Sequence, residues 1–566
     1  MKEKRRVKEL YHKPLIVHRN GKVFLIQDHD PYGHLAQKLT DFADMIKIPE
    51  GVSTFELSSY ALWSAAAKGY NAKNLCSFLK DNACNTLDST LESMILQNMR
   101  QYNSLKLFRH GKYLALQAVR PEIILEILKD KPLEKKVVKK INDCTLLFNA
   151  SEKVELKKQL FKKEFFAIDS TNEMGKELDI NLLNITRRGQ EFKLRDYQIQ
   201  AARAFLDNKD KAGGGGIVIM PPRSGKTFVG FEIIGNLKLN TLIITENHSS
   251  ATSWKEEVLD KTDLAEESIL LYNSNQQGLE PITITTYPYL SANSEAFEHL
   301  AAQEWGLIIY DDAHKLPAKK NMATADIPSK YKLALAATLA RSDEQGTLVY
   351  ALIGPKWYEI LPQTLRGLGY LSNIDCAEVK VPLSEKAKEE YTYIEMNGND
   401  HKALRKVAAE NDKKKEALVH LIKPQKRTAI ASYYKELAKQ IGQDYQIDYV
   451  TGEINPKIRL NLVEKFNTEE INCLVFTLVG EQFNLQNLDV LIAISYQGGS
   501  AREEYLRLGK LMEVNKKGTN GWFFSIISTE TLEESDYKGR RRSLINYGYR
   551  FKILELKDLE EGEIIS

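Results

Sequence analysis

The residues best equipped for chemistry lie in two short stretches. The first is Met220-Pro221-Pro222-Arg223-Ser224-Gly225-Lys226-Thr227, which follows the apolar run Gly216-Ile217-Val218-Ile219 and opens into Phe228-Val229-Gly230-Phe231. A loop ending Gly-Lys-Thr between a strand and a helix is a phosphate-binding loop. Its backbone N–H groups and the positive end of the helix dipole cradle phosphates. Lys226 would reach the β- and γ-phosphates, the Thr227 hydroxyl would hold Mg2+, and Pro222, Arg223, Ser224 and Gly225 would form the rest of the cradle. Two positions depart from the common pattern. Met220 stands where a glycine is usual, and Arg223 where a small residue is usual. The alternative, a Gly-Lys-Thr falling by chance in a surface loop, has to be judged against the second stretch, Asp311-Asp312, which ends the apolar run Trp305-Gly306-Leu307-Ile308-Ile309-Tyr310. An acidic pair at the carboxyl end of a strand has a physical task downstream of such a loop. Asp311 can hold Mg2+ against the phosphates, and Asp312 can orient an attacking water.

The elements that must position these residues are short β-branched runs alternating with helical segments. Strands are expected at 216–220, 240–245, 281–287, 305–310 and 331–338, with helices after the phosphate loop and from Ser253. This is the pattern of a doubly wound parallel sheet. It repeats without a phosphate loop, at 427–432, 447–450, 472–477 and 490–495, and a last strand is expected at 549–554. Between the halves, 384–423 reads as a charged helical insert carrying His401, Lys402, Arg405, Lys406 and Lys413-Lys414-Lys415.

The start of the chain is different. Residues 14–18 and 22–26 flank Asn20-Gly21, a hairpin signal. Helical patterns follow from Ser58, Ala72 and Leu87. A second hairpin, 105–108 and 113–116 around His110-Gly111, resembles the wing of a winged-helix unit, and 121–128 reads as helix. The stretch 130–165 is rich in lysine. It could track phosphates, or it could be a solvated face whose lysines pair with the interspersed glutamates; the second reading is the simpler one.

At 566 residues the chain is too long for one core and should hold about three or four domains. Hydrophobic residues make up 43% and charged residues 27%, ordinary for a globular chain. The net charge of +3 gives no global basic field, so any nucleic-acid surface must be local. The five cysteines form no C-x-x-C pair, which argues against zinc and iron–sulfur sites and fits a reducing compartment. No apolar run approaches the ~20 residues of a membrane span, and the charged start is not followed by a signal-type core.

The assembled motifs resemble superfamily 2 helicases, and specifically the XPB family of DNA helicases. The resemblance runs nearly end to end. It rests on Leu194-Arg195-Asp196-Tyr197-Gln198, the phosphate loop, Trp254-Lys255, Thr285-Thr286-Tyr287, Glu304 to Lys319, and Leu335 to Arg341. It continues through Ile353 to Glu359, Gly369-Tyr370-Leu371, Gly498-Gly499-Ser500, Arg507-Leu508-Gly509 and Gly548 to Ile553. The fold it implies is α/β, with two RecA-like parallel-sheet domains in tandem, preceded by an α+β, winged-helix-like N-terminal domain. The expected division is an accessory domain over 1–130, a Lys-rich connector over 131–188, a first RecA-like ATP-binding domain over 189–362 and a second RecA-like domain over 363–566. Gln198 would read adenine, with Arg195 beside it. DNA would lie across both domains, and closure around ATP and Mg2+ would drive stepping or duplex opening.

Departures from the family pattern cluster at the hydrolytic step. The second carboxylate, usually glutamate, is Asp312, one methylene shorter; misplacing a base by about 1 Å can cost on the order of 10²-fold. Ala336 replaces a hydroxyl residue, Arg341-Ser342-Asp343-Glu344 blurs a further motif, Asn484 sits at an aspartate position, and the last motif has Leu506 and Lys510. Its final arginine, which would be the finger on the γ-phosphate, is Glu513. A finger is worth about 10³–10⁵ in rate. Either a neighbour such as Arg502, Arg507 or Lys510 substitutes, with Arg507 the expected catalytic cation beside Lys226 and Asp312, or hydrolysis is weak. The function implied is an ATP-dependent DNA helicase or double-stranded DNA translocase acting in repair or remodelling. The alternative is a pseudo-helicase that binds DNA, and ATP as well, as a scaffold with little hydrolysis. The resemblance also implies a protein partner (a nuclease or repair complex), no membrane, and a cytoplasmic, nucleoid-associated or nuclear location.

Overall fold

The computed structural model describes residues 12–31, 33–171, 175–339, 345–398, 400–477, 483–496, 501–514, 518 and 520–561. The chain divides into two units, one holding most of the residues up to Leu361 and the other running from Pro362. Arg341 and Gly498-Gly499-Ser500 lie outside the described residues.

The first unit contains a parallel sheet of seven strands. In spatial order they are Ile269–Leu271, Ile282–Thr286, Thr241–Thr245, Trp305–Tyr310, Ser329–Ala336, Gly215–Ile219 and Lys356–Glu359. The second unit contains another, in the order Asp448–Val450, Cys473–Phe476, Thr428–Ala431, Val490–Ala493, Gly521–Ser528, Ile374–Val381 and Phe551–Glu555. Numbered along the chain within each sheet, both read 3-4-2-5-6-1-7. One wiring diagram used twice is the mark of two RecA-like domains in tandem, as the resemblance implied. The central strands are buried on both faces, which is why they read as apolar runs without alternation. The charged insert is three helices, Glu385–Met396, His401–Ala409 and Asp412–Leu421, between the first and second strands of the second sheet.

Two smaller sheets precede these. The first, with strands Leu15–Val17, Lys22–Ile26, Asp44–Lys47 and Val52–Glu56, opens with the expected hairpin; Leu15 pairs with Leu25 and Val17 with Val23. The second corrects two expectations. The hairpin Leu105–His110 with Tyr113–Ala118 is not a wing but the middle of a five-stranded sheet. Thr145–Asn149 pairs on one side of it and Ala167–Asp169 on the other. The Lys-rich stretch is therefore no connector up to Asp169, because it completes this sheet. Its lysines are largely paired with carboxylates: Lys136 with Glu152 at 2.5 Å, Lys140 with Asp143 at 2.7 Å and Lys163 with Asp130 at 3.1 Å. The solvated, paired face is thus the reading that the geometry supports.

The amino-terminal region is tied to the edge of the first parallel sheet by a buried ion cluster. Lys356 is 1% exposed. Its ammonium donates to Glu359 Oε2 at 2.6 Å, to the carbonyl of Ala43 at 3.1 Å and to Asp44 Oδ1 at 3.3 Å. The Tyr350 hydroxyl donates to the same Asp44 oxygen at 3.1 Å. Buried charges need this kind of pairing, since an ion taken from water without a partner is costly.

Candidate nucleotide site

The strand Gly215–Ile219 runs on into Met220, whose N–H donates to the carbonyl of Ala336 at 2.9 Å and whose side chain is wholly buried. The position is core, so the sheet, rather than a glycine turn, sets the direction of the loop. Arg223 turns the chain with φ +62°, and Gly225 follows with φ +78° as the residue before the helix Lys226–Leu237. Gly225 is required for a second reason: a Cβ there would lie 2.3 Å from Gln198 Nε2. Ser224 is buried, and Lys226 and Thr227 are half-buried at the first helical positions, where the helix dipole is positive. Lys226 Nζ stands 3.4 Å from the carbonyl oxygen of Pro221.

Strand Trp305–Tyr310 lies two strands from the phosphate-loop strand, with Ser329–Ala336 between them. The ladder continues one residue further, as Asp311 N–H donates to Ile244 at 2.9 Å. Asp311 is then fixed from two sides. Its Oδ2 accepts from the indole Nε1 of Trp254 at 2.8 Å, and its Oδ1 accepts from the N–H of Asp312 at 3.0 Å. Burial pushes the Asp311 carboxyl above the ordinary aspartate value, while the Trp254 donor and the positive charge of Lys226 pull it back. The structure thus brings the phosphate-loop lysine and the first carboxylate into one electrostatic neighbourhood. Asp312 is in the left-handed region with φ +47°, and Nδ1 of the buried His314 is 3.9 Å from its Oδ1. Tyr287 donates its hydroxyl to the Asp311 carbonyl at 3.1 Å, and Lys315 pairs with Glu246 at 2.5 Å, so the rim of the pair is also fixed.

The residues present fit Mg2+. Thr227 and Asp311 would supply one hydroxyl and one carboxylate, and a cation that keeps most of its waters and phosphate oxygens asks for no more from the protein. A carboxyl made reluctant to ionise by burial gains most from a cation beside it.

Gln198 is 3% exposed at the start of helix Asp196–Leu206. Its Oε1 accepts from Arg195 N–H at 2.9 Å, and its amide nitrogen lies against Gly225. Gln198 therefore joins the helix start to the phosphate loop. Arg195 is exposed, and its guanidinium reaches the Tyr197 hydroxyl at 3.2 Å. Thr286 caps the next helix by accepting from Tyr289 N–H at 3.3 Å. Trp254, which holds Asp311, is not singled out by residue type, because a tryptophan in a helix reads as core. The signal available was its place in the Trp254-Lys255 motif.

In the second unit Arg507 is buried on the helix Ala501–Leu508. Its Nη1 donates to Glu504 Oε2 at 3.1 Å, and its guanidinium lies 5.9 Å from the ring centroid of Tyr496. Lys510, also buried, donates to the carbonyl of Phe483 at 2.7 Å. The cations of this motif thus have partners inside their own unit.

Three family models match the chain: "ERCC3/RAD25/XPB C-terminal helicase" over residues 365–564, "Type III restriction enzyme, res subunit" over 191–341, and "Helicase conserved C-terminal domain" over 15–142. Among similar proteins are the DNA 3'-5' helicases XPB of Kineococcus radiotolerans and of Mycobacterium tuberculosis. Each is 29% identical, covering 97% and 96% of this chain and 98% of its own length. The general transcription and DNA repair factor IIH helicase/translocase subunit XPB of Drosophila melanogaster is 24% identical, over 96% of this chain and 78% of its own. Relatives matched over almost the whole length, a C-terminal model specific to the family, and two identically wired sheets with a phosphate loop in the first point the same way: the chain is similar, nearly end to end, to the XPB family of superfamily 2 helicases.

Proposed function

We propose that the protein is an ATP-dependent DNA helicase or double-stranded DNA translocase of the XPB type. The observation that carries this reading is the pairing of the phosphate loop and Asp311 at the carboxyl ends of one parallel sheet, in the first of two sheets wired alike. Residues 189–362 would form the ATP-binding domain and 363–566 the second helicase domain. Backbone N–H groups at the start of helix Lys226–Leu237, with Lys226, would hold the phosphates, and Thr227 and Asp311 would hold Mg2+. The bound Mg2+ would neutralise charge developing on the phosphates. Asp312 would orient the water, and of the cations of its motif Arg507 would answer the γ-phosphate or position its neighbours. Gln198 and Arg195 would flank the base.

The names of the relatives favour a working helicase over a scaffold that has lost turnover. By the same likeness DNA is the polynucleotide and a repair complex or nuclease the partner, which puts the protein where DNA is, in cytoplasm or nucleus. Among the described residues no helix is long and apolar enough to cross a membrane. The test is steady-state ATP hydrolysis with and without duplex DNA. Hydrolysis should rise with DNA and vanish in Lys226→Ala; clean protein with no DNA-stimulated phosphate release would overturn the proposal.

A further inference from the structure

The first parallel sheet has a second charged locus, at the opposite end of its strands from the phosphate loop. Near Gly215 and Ser329, where two strands begin, there is a small cavity. Lys153, Asp169, Thr171, Ser329, Lys330 and Lys332 line it. Lys153 Nζ reaches Thr171 Oγ1 at 3.2 Å and Asp169 at 3.5 Å. Asp169 is already engaged twice more, by Lys157 at 3.1 Å and by the Thr171 hydroxyl at 2.6 Å. Lys332 donates to the carbonyl of Ala325, and Lys330 holds its ammonium 5.4 Å from the ring centroid of Tyr331 at the rim. Lys157, behind the wall, also lies within electrostatic reach of the Asp326 carboxyl. The lining therefore holds three lysines against one aspartate in a partly enclosed space, and burial together with the charge of Lys153 pushes Lys332 well below the ordinary lysine value.

The second observation is Ser329. It is 5% exposed, lines the cavity, and its hydroxyl makes no hydrogen bond among the described residues. A buried hydroxyl left without a partner is unfavourable, and an anion accepting from it and from ammonium groups would relieve both the unmade bond and the excess charge.

We propose that this cavity binds a small tetrahedral oxyanion, phosphate or sulfate in chemistry, held by Lys153, Lys332 and Ser329. Its ligands come from two sides. Lys153 flanks the five-stranded accessory sheet, and Ser329 and Lys332 belong to the parallel sheet, so a bound anion joins the two by charge. The site lies outside the nucleotide machinery and does not depend on the proposed activity.

The test is thermal unfolding of the full chain carrying Lys226→Ala, so that the phosphate loop no longer contributes. Inorganic phosphate is added at constant ionic strength made up with chloride. The expected result is a saturable rise in Tm, with apparent affinity about tenfold weaker when Ser329→Ala is added. Because a lysine-to-methionine change in a charged cluster can cost the fold, a second measurement uses unaltered side chains: crystals soaked in tungstate should show its density between Ser329 and Lys332. No saturable rise, wild-type affinity in both Ser329→Ala and Lys153→Met, or tungstate absent from this cavity would each overturn the proposal.

Discussion

The indole nitrogen of Trp254 donates to Asp311 Oδ2 at 2.8 Å, so a buried tryptophan on one helix sets the orientation of the carboxylate at the end of a strand. The bond does more than pack the ring. A donor favours the charged form of an acid that burial pushes toward neutrality.

Trp254→Phe keeps the aromatic volume and deletes the donor. The Asp311 carboxyl should then titrate higher than it does now. Catalysis needs the ionised form at the metal, so the acid limb of the ATPase profile should move to higher pH and the Mg2+ requirement should rise, by about tenfold. The check is kcat/KM against pH at several Mg2+ concentrations. An unshifted limb would mean that the indole serves packing alone.

Asp311→Asn should separate stability from activity. With its folded pKa raised, Asp311 holds a proton in the native state that the unfolded chain has already released, so stability falls as pH rises through that window. An amide does not titrate. Urea unfolding from about pH 3 to neutrality should therefore show the variant gaining on the parent as pH rises. ATP hydrolysis should fall by about 10³-fold or more with the metal ligand gone.

Much of this could be read from the chain, for physical reasons that also explain what could not. Central strands such as Leu307-Ile308-Ile309 are sandwiched between helices, and double burial prints an unbroken apolar run. The phosphate loop and Asp311 are local in sequence, so their residue types give them away. Lys157, Lys332 and Lys356 are different. Each reads as a surface lysine, yet each sits in an internal ion cluster whose carboxylates come from distant segments, as with Asp44 and Lys356. The lysine-rich stretch misled for the same reason, since only the pairing of Thr145–Asn149 with Tyr113–Ala118 shows it to be part of a sheet. Nor does composition reveal that Asp312 adopts a left-handed backbone, which decides where its carboxylate points.

Lys356→Met should be among the most destabilising single changes in the first unit, because it leaves Asp44 and Glu359 buried without their cation. The expected loss is about 3–5 kcal/mol in denaturant unfolding. Burial alone would lower the Lys356 pKa, but Glu359 and Asp44 outweigh it and hold it above the ordinary value. A raised lysine contributes fully below its unfolded pKa. The wild-type advantage should therefore persist to about pH 10 and shrink above it as the ammonium deprotonates. A difference that stayed flat through alkaline pH would contradict the ion cluster.

Glu513→Arg addresses the hydrolytic step. The two neighbouring cations, Arg507 and Lys510, are engaged by Glu504 and by the Phe483 carbonyl, so adding one at the last position of the motif should supply what the sequence lacks. An arginine finger is worth about 10³–10⁵ in rate, and recovering even part of that should raise DNA-stimulated turnover at least about tenfold. Single-turnover hydrolysis in excess enzyme is the measurement. Unchanged turnover would place the limiting step elsewhere.

Gly225 and Gln198 should prove energetically coupled. Gly225→Ala faces two penalties: φ of +78°, disfavoured for a side chain, and a Cβ 2.3 Å from Gln198 Nε2. The first is intrinsic to the loop and costs about 1 kcal/mol. The second exists only while Gln198 is present. Nucleotide affinity measured by calorimetry should fall steeply in Gly225→Ala and modestly in Gln198→Ala. In the double variant the loss should be smaller than the sum of the two, because truncating the glutamine opens the space the new methyl needs. Additive losses would mean that backbone strain alone accounts for the glycine, and that the amide of Gln198 does not bear on the phosphate loop.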